Sequence, residues 1–397
     1  MFSTCQPRRF CYIEQNANPM RHIDFVFFDA GGGHRAAATA LKSVIEQQGR
    51  DWQVRLVNLQ DVLDGYDFFR KLTGIRAQDI YNLMLKKGWT LGSPQLTVVM
   101  HWMIRLTHPI QVRALKDFWA QGEPDLVVSL IPNFGRSLYQ SLKAIHPKTP
   151  LVTILTDLAD YPPHFWIEPG QDQFYICGSE KAVEQAASMG YGAGRAFAVS
   201  GMILNPRFYQ PVAVERAAER RRLNLDPALP AGLILFGGQG SSHMQAILRR
   251  LDDARVPAQF IAICGKNQAL RELLQRDKWR MPVFVEGYTS EIPYYMHLSD
   301  FLIGKPGPGS ISEAMAMKLP VIVERNAWTL PQERFNAEWV SRKQVGIVLP
   351  NFTGIAPAVT KLLSGDTLEN YRRNAAGLEN RAVFEIPPIL EKLMERN

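Results

Sequence analysis

A glycine-rich turn is the feature of this sequence with the clearest chemical use. It reads Gly304-Lys305-Pro306-Gly307-Pro308-Gly309 after a short apolar strand, and Ser310 is placed to cap a helix that begins there. Glycines let backbone N–H groups approach a phosphate closely, and a helix N-terminus adds unsatisfied donors and partial positive charge. The turn therefore predicts an anion site.

Four polar side chains follow this turn. Glu313 is predicted in the first turn of the helix, where a carboxylate is a usual partner of ribose hydroxyls. After the next strand, Gln332, Glu333 and Asn336 are crowded near a helix start and could bind the hydroxyls of a sugar. The alternative interpretation is ordinary helix capping and turn chemistry. The choice depends on the elements that position these residues.

The first half of the chain alternates strands and helices. Ile23 to Phe28 is a predicted strand, the glycines at 31–33 a turn, His34 to Gln48 a helix and Val54 to Asn58 a second strand. This βαβ opening predicts a parallel sheet. Four further strands are predicted at 125–130, 151–155, 173–176 and 196–199.

The second half repeats this pattern after a connector at 201–211. The predicted strands 233–236, 260–264, 283–285 and 300–303 each run into a glycine-containing turn. Loops at the carboxyl ends of parallel strands are where such folds bind ligands. Two similar α/β domains with a cleft between them are the simplest architecture that uses the pattern twice. The loop Thr156 to Trp166 is the densest polar and aromatic cluster of the first half.

Residues 66 to 121 interrupt this alternation with helical patterns that mix aromatic and basic side chains. Rings at headgroup depth with cations toward anionic lipid are typical of an interfacial surface. The residues expected to contact a membrane include Trp89, Trp102, Lys86, Lys87 and Arg105. The alternative is a helical insertion whose aromatics pack on the domain core.

Composition narrows the class of protein. The 397 residues are 46% hydrophobic and 21% charged, which is typical of a globular chain, and no apolar run is long enough to span a bilayer. The net charge of +7 admits nucleic acid, an anionic membrane or an anionic small molecule, and the absence of a known nucleic-acid motif lowers the first option. The spacing of the four cysteines predicts free thiols, a reducing compartment and no zinc site.

Several enzyme motifs are absent. Neither glycine turn satisfies GxGxxG, since His34 and His243 break the two candidate strings, and no Walker A, GxSxG or HExxH sequence occurs. The remaining fit is a nucleotide diphosphate held by backbone amides without a metal.

An ordered set of motifs resembles one enzyme family. The set is GGGHRAAATA at 31–40, LTDL at 155–158, FGGQGS at 236–241, ICGKN at 263–267, GYTSEIPYYMHLSDFLIGKPGPGSISEAMAMKLPVI at 287–322 and QERFNA at 332–337. It resembles the diacylglycerol glycosyltransferases, which comprise the monogalactosyldiacylglycerol synthases and bacterial processive glucosyl relatives. A more distant similarity is to the N-acetylglucosaminyltransferase of peptidoglycan lipid assembly. The likeness covers nearly all of residues 23 to 345.

The resemblance implies a GT-B fold, that is, two Rossmann-like α/β domains with a cleft between them. It also implies an inverting, metal-independent transfer of galactose or glucose from a UDP-sugar to diacylglycerol at an anionic membrane surface, with no cofactor. The donor-side residues that it implies are Gly238, Gly240, Ser241, Tyr288, Thr289, Gly307, Gly309, Ser310, Glu313, Gln332, Glu333 and Asn336. Those implied on the acceptor side are His34 and Asp157, and we expect Gly33, His164 and Trp166 to contact the acceptor or the membrane.

His34 is the expected catalytic base. At a helix N-terminus the dipole disfavours the imidazolium, so a neutral ring suited to taking a proton from an alcohol is expected. Asp157 is the rival base, or the group that orients His34. The sequence departs from the family at Pro162 to Trp166, in the connector, and at Pro331, which leaves the sugar and the acceptor open.

The predicted organisation is a short extension (1–22), an acceptor-binding domain (23–204) with the helical insertion, a linker (205–230), a UDP-sugar domain (231–380) and a C-terminal helix (381–397). We expect a cytoplasmic protein, peripheral on the inner face of the plasma membrane, with no nucleic-acid partner. The alternatives are transfer of N-acetylglucosamine to a polyprenyl-type acceptor, a non-catalytic UDP-sugar or lipid-binding protein, and nucleotide-sugar epimerisation.

Overall fold

The computed structural model describes residues 20–29, 32–65, 104–327 and 329–396. These residues form two six-stranded sheets in which every pair of neighbouring strands is parallel. Five of these twelve strands are short runs that are buried throughout, as expected when helices cover both faces of a parallel sheet. The predicted α/β class is confirmed.

The first sheet has the order β2-β1-β3-β4-β5-β6. Its strands are β1 (Arg21–Phe27), β2 (Trp52–Asn58), β3 (Leu126–Ser129), β4 (Leu151–Ile154), β5 (Phe174–Cys177) and β6 (Ala196–Ala198). The helices along this part of the chain are α1 (Gly33–Gln47), α2 (Leu59–Asp64), α3 (His108–Trp119), α4 (Gly135–Ile145) and α5 (Glu180–Ser188).

The second sheet has the order β12-β11-β10-β7-β8-β9, which is the dinucleotide-fold order. Its strands are β7 (Ala231–Leu235), β8 (Gln259–Ile263), β9 (Val283–Glu286), β10 (Phe301–Gly304), β11 (Val321–Glu324) and β12 (Gly346–Leu349). The helices from the connector onward are α6 (Arg216–Arg222), α7 (His243–Asp253), α8 (Gln268–Arg276), α9 (Ile292–His297), α10 (Pro308–Ala316), α11 (Arg334–Lys343), α12 (Ile355–Leu362), α13 (Thr367–Ala376) and α14 (Ala382–Met394). Short 3₁₀ turns lie at Pro206–Tyr209, Pro331–Glu333 and Phe352–Gly354.

The side chains of the second sheet separate into two cores by alternation. Leu233 and Leu235 belong to one apolar cluster, while Ile234 between them belongs to the other. This alternation follows from the two-residue period of a strand, which sends successive side chains to opposite faces. The sheet is therefore covered on both sides.

The last helix, α14, packs on the first sheet rather than on the second. Val383, Ile386 and Leu390 are fully buried in the same cluster as Leu41 and Ile45 of α1. An ion pair joins Arg50 to Glu391 at 2.8 Å, and Glu385 accepts hydrogen bonds from Ser200. The chain therefore crosses between its two halves twice.

The linker at 205–230 is fixed to the second sheet by a charge cluster around Asp300. Arg216, Arg220 and Arg372 donate to its carboxylate over 2.5–2.8 Å. Burial works against the ionised form, but the N–H of Ala231 and these arginines lower the pKa of Asp300 to about 2. Part of the positive charge of the chain is therefore neutralised by a buried carboxylate within the fold.

Two local predictions need correction. The strand β12 has no counterpart among the predicted strands, whereas α14 (Ala382–Met394) lies within the predicted C-terminal helix. Ser310 does not cap α10, because the helix begins at Pro308 with Gly307 as its N-cap residue, so that Glu313 lies beyond the first turn. Cys177 and Cys264 are free buried thiols as predicted, and Cys5 and Cys11 lie outside the described residues. No helix in the described ranges is long and apolar enough to cross a membrane.

Candidate active site

Each sheet has one point where the strand order reverses. In the first sheet β1 lies between β2 and β3, and in the second sheet β7 lies between β8 and β10. Ligands of open parallel sheets bind outside the carboxyl ends of the strands at such points. In the first sheet this edge carries Gly33 and His34, and in the second it carries the turns 237–240 and 305–309. The predicted donor turns thus share one edge of their sheet.

His34 is the second residue of α1, directly beyond β1. The chain turns into the helix through Gly32, whose φ of 82° lies in the left-handed region. The ring nitrogen Nδ1 lies 3.1 Å from Thr156 Oγ1, and the ring centroid lies 6.0 Å from that of Trp166. Removal from water lowers the pKa of His34 to about 4, against a smaller opposite effect of the Leu130 backbone. The ring is therefore neutral at pH 7, with burial as the cause.

Asp157 lies in the loop after β4 and is buried. Its Oδ2 accepts the indole N–H of Trp166 at 2.9 Å. Burial raises the pKa of Asp157 to about 7; the Trp166 hydrogen bond and Lys305 act in the opposite direction, and Glu333 acts with burial. Asp157 is accordingly a carboxyl that changes charge near neutral pH.

The loop that carries Asp157 is organised by a second buried carboxylate. Asp160 accepts the backbone N–H groups of His164 at 3.0 Å and of Trp166 at 2.6 Å. These bonds turn the chain so that the Trp166 ring points back at Asp157. Trp166 is 2% exposed and His164 is exposed, so of these two predicted acceptor residues only His164 meets solvent.

The first donor turn, Gly237 to Gly240, is packed against the turn after β8. Gly240 has a φ of 63°, and a Cβ there would lie 2.4 Å from the carbonyl oxygen of Cys264. Lys266 donates its backbone N–H to the carbonyl of Gly238 at 2.9 Å. Gly238 itself is exposed, and a Cβ added to it would meet nothing within 4 Å, so its backbone faces open space. Ser241 Oγ lies 2.9 Å from His243 Nδ1 at the start of α7.

The second donor turn is held by buried polar contacts. Lys305 Nζ lies 2.7 Å from Oε1 of Glu333, which is 7% exposed. Asn336 is fully buried, and its Nδ2 donates to the carbonyl of Pro306 at 2.9 Å, while its Oδ1 has no hydrogen-bond partner among the described residues. Asn336 therefore supports the backbone of this turn. Gln332, beside Glu333, is half-buried.

Glu313 is half-buried in the second turn of α10. Burial alone raises the pKa of its carboxyl to about 7. No hydrogen bond to this carboxylate occurs within the described part of the chain. Gly309, earlier in the same helix, has open space where a Cβ would project. The helix N-terminus thus presents open backbone with a carboxyl group behind it.

A cavity of about 130 Å³ lies between the ends of β7, β8 and β9. Gly238, Gly265, Tyr288 and Thr289 are among the residues that line it. Tyr288 is 67% exposed, and the ammonium of Lys266 lies 5.4 Å from the centre of its ring. The predicted base-binding residues thus border a recess beside the first donor turn.

The two halves meet at the loop that follows Asp157. Leu158 and Ala159 pack in one cluster with Phe335 of α11, and the rings of Tyr161 and Phe335 lie 6.1 Å apart. Leu158 directly follows Asp157, and Phe335 lies two residues after Glu333, so this contact brings the acceptor-side loop next to the segment that holds the second donor turn.

Some predicted residues are not brought to this contact. Arg105 is exposed near α3. Trp89, Trp102, Lys86 and Lys87 lie outside the described residues. Among the residues that the structure describes, no three His, Cys, Asp or Glu side chains are grouped to hold a metal ion.

The sequence interpretation did not include Thr156, Asp160 or Lys305 among the site residues. Thr156 and Asp160 lie near Asp157 in the loop Thr156 to Trp166. The high density of polar side chains in this loop was the sequence feature that could have identified them. Lys305 belongs to the glycine turn itself, but only the structure shows that Glu333 is its partner.

Solved structures of similar shape define the fold of this chain. The structure aligns with MurG of Acinetobacter baumannii at a TM-score of 0.61, with 12% identity over 94% of this chain and 99% of that one. It aligns with a UDP-GlcNAc 2-epimerase of Neisseria meningitidis bound to UDP-GlcNAc at a TM-score of 0.57, with 15% identity over 95% and 100% of the two chains. The predicted GT-B arrangement of two α/β domains is confirmed.

The sequence comparisons give the finer similarity. Residues 233–351 match the glycosyltransferase family 28 C-terminal domain. The chain is 29% identical to probable monogalactosyldiacylglycerol synthase 2 of rice, over 95% of this chain and 81% of that protein. It is 28% identical to monogalactosyldiacylglycerol synthase 1 of Arabidopsis thaliana, over 96% and 72%. The resemblance to these synthases that the motifs predicted is confirmed.

Proposed function

We propose that this chain is an inverting glycosyltransferase that moves a hexose, galactose or glucose, from a UDP-sugar to diacylglycerol. The observation that carries the proposal is the contact between the loop that follows Asp157 in the first half and Phe335 of α11 in the second, next to Glu333 and its partner Lys305. The names of the relatives support a galactolipid product. The fold alone leaves the reaction open, because the aligned structures include an epimerase.

The donor would bind to the second half. Backbone N–H groups at Gly238 and Gly309, with the N-termini of α7 and α10, would hold the diphosphate. Gly240 and Gly307 donate their own N–H groups to the carbonyls of Gly237 and Lys305 and so shape the two turns. Tyr288 and Thr289 would border the base, and Glu313 the ribose. Gln332 and Glu333 would contact the hexose, with Asn336 supporting the turn from below.

The transfer would be a single displacement at C1 of the hexose. The acceptor hydroxyl loses its proton to His34 or Asp157 and its oxygen forms the new bond to C1. The bond from C1 to the β-phosphate oxygen breaks, and its electron pair leaves with UDP. Attack opposite the leaving group inverts the configuration at C1. Backbone donors and helix N-termini would stabilise the departing charge, so we propose that the reaction needs no metal.

The acceptor would be a lipid at a membrane surface. Arg105 and Arg113 are exposed beside Leu106 and Ile110, which are 71% and 47% exposed. Cations next to exposed aliphatic side chains suit contact with anionic lipid. The inner face of the plasma membrane stays a prediction, since the rice and Arabidopsis relatives are chloroplastic by name.

The proposal is tested by incubating the protein with radiolabelled UDP-galactose, UDP-glucose or UDP-N-acetylglucosamine over diacylglycerol liposomes in EDTA. Labelled glycolipid from one of the first two donors is expected. No labelled lipid from any donor would reject the transfer, and a soluble product made without lipid would identify epimerisation. Label only on polyprenyl lipids would indicate the other acceptor class, and activity only after metal addition would reject the metal-independent mechanism.

The identity of the base is tested with His34→Ala. We expect a loss of about 10²- to 10⁴-fold in kcat, the usual contribution of a general base, with unchanged affinity for UDP. His22→Ala, at an exposed position of β1, is the matched control. If His34→Ala keeps nearly full turnover, the base is not His34, and Asp157→Asn is the next comparison.

A further inference from the structure

Lys305 directly follows β10, and its side chain lies between the two glycine turns of the second sheet. A Cβ placed on Gly237 would lie 3.8 Å from Lys305 Cε, and one on Gly307 would lie 3.5 Å from Cε and 3.9 Å from Nζ. One lysine side chain therefore borders both turns. Backbone N–H groups supply dipoles there, whereas Lys305 supplies a full charge.

Glu333 holds this ammonium in place. The Nζ to Oε1 distance is 2.7 Å, and the side chain of Glu333 is 9% exposed while that of Lys305 is 36% exposed. A bond to a buried carboxylate fixes the position of a lysine ammonium. Lys305 is thus held by Glu333 beside the two turns.

We propose that Lys305 binds the diphosphate of the donor and stabilises the negative charge that grows on the β-phosphate oxygen as UDP departs. This inference rests on the proposed function. As the bond from C1 to that oxygen breaks, the electron pair stays on the phosphate, and Lys305 keeps its proton throughout. Charge-assisted bonds are the stronger hydrogen bonds, and they count most where charge develops during the reaction.

The competing role for Lys305 is purely structural, namely neutralisation of the buried Glu333 carboxylate. A lysine removed from such a pair leaves an uncompensated buried charge, which destabilises the fold. Lys305→Met alone would therefore weaken ligand binding under either role. The double variant Lys305→Met/Glu333→Gln removes both charges and separates the two roles.

The test measures the affinity of the full chain for UDP and for uridine by calorimetry. We expect UDP to bind about 10- to 100-fold more weakly to Lys305→Met and to the double variant, as for loss of one charged hydrogen bond, with uridine affinity unchanged. Lys361→Met, at an exposed position of α12, is the control and should bind both ligands like the wild type.

The possible results separate a failure of the role of Lys305 from a failure of the proposed function. Wild-type affinity for UDP in the double variant, or an equal loss for uridine and UDP, would overturn the role of Lys305 at the diphosphate. If the wild-type chain itself did not bind UDP, the proposed function would fail instead. Should Lys305→Met not fold, the double variant, which has no unpaired charge, gives the decision alone.

Discussion

Trp166 donates its indole N–H to Oδ2 of Asp157 over 2.9 Å, and both side chains are buried. The hydrogen bond favours the ionised carboxylate, which burial disfavours, and the pKa of Asp157 lies at about 7 as a result. Trp166 is thereby explained as the group that orients and tunes Asp157. An aromatic that lies at membrane depth would not be enclosed in this way.

The pH dependence of transfer separates the two candidate bases. If ionised Asp157 is required, kcat/KM rises with pH through about 7, and Trp166→Phe moves this limb to higher pH because the ionised form loses its donor. Trp279→Phe, which removes an indole bond to the Leu274 carbonyl in the second half, should leave the limb in place. A wild-type profile that is flat from pH 5 upward would assign the base to His34, whose pKa is about 4.

Glu313→Gln is expected to stabilise the unliganded protein while weakening its affinity for UDP. The carboxyl has a pKa of about 7 in the fold against 4.5 as its ordinary value, so the stability that it contributes is present below pH 4.5 and is lost as pH rises through 7. Urea unfolding at pH 8 should show a gain on the order of 1–3 kcal/mol, and the gain should vanish near pH 4.

The affinity of Glu313→Gln for UDP is the second quantity to measure. UDP should bind at least about 10-fold more weakly to Glu313→Gln, because the ribose hydroxyls lose a charged acceptor. Glu395→Gln, at an exposed position beyond α14, should change neither quantity. Unaltered UDP affinity would remove Glu313 from the ribose site.

Two neighbouring glycines should respond differently to the same substitution. Gly238→Ala meets nothing within 4 Å, so its melting temperature should match the wild type while the added methyl group obstructs the diphosphate and weakens UDP binding. Gly240→Ala places a Cβ 2.4 Å from the Cys264 carbonyl at a φ of 63°, so the fold itself should lose stability. Thermal unfolding and UDP titration of both variants check this, and full UDP affinity in Gly238→Ala would mean that the diphosphate lies elsewhere.

Membrane contact is tested at the exposed residues beside α3. The triple variant Arg105→Glu/Leu106→Ser/Ile110→Ser should sediment several-fold less with anionic vesicles, since about 1 kcal/mol is expected from each basic residue near the surface. Leu273→Ser, at a residue of α8 that is 42% exposed, is the matched control. Equal sedimentation of the triple variant and the wild type would assign this face to another role.

Most of the strands could be predicted from the sequence, because each of these is an apolar run that ends in a glycine turn. The strand β12 escapes prediction because only the first residue of Gly346–Leu349 is buried and no glycine turn directly follows it; its pairing with β11 identifies it. The helix start at Pro308 is misplaced in the sequence interpretation because a hydroxyl side chain at 310 suggests a cap, whereas proline at the first helical position is the stronger signal.

The pairings within the site needed three-dimensional information. Lys305 and Glu333 are 28 residues apart and Asp157 and Trp166 are 9 apart, and no periodicity connects either pair. The pKa values of His34, Asp157 and Glu313 depend on burial, which residue type alone does not specify. The residue types at the site were therefore predictable, but their partners and charges were not.

The packing of α14 against α1 has a consequence for biosynthesis. Chains emerge from the ribosome N-terminus first, and domains ordinarily fold in that order. Leu41 and Ile45 of α1 share one apolar core with Val383 and Ile386 of α14, which is synthesised much later. The first half of the chain therefore acquires its complete core only after α14 has been made. Synthesis of α14, rather than synthesis of the first sheet, is the event that completes the core of the first half.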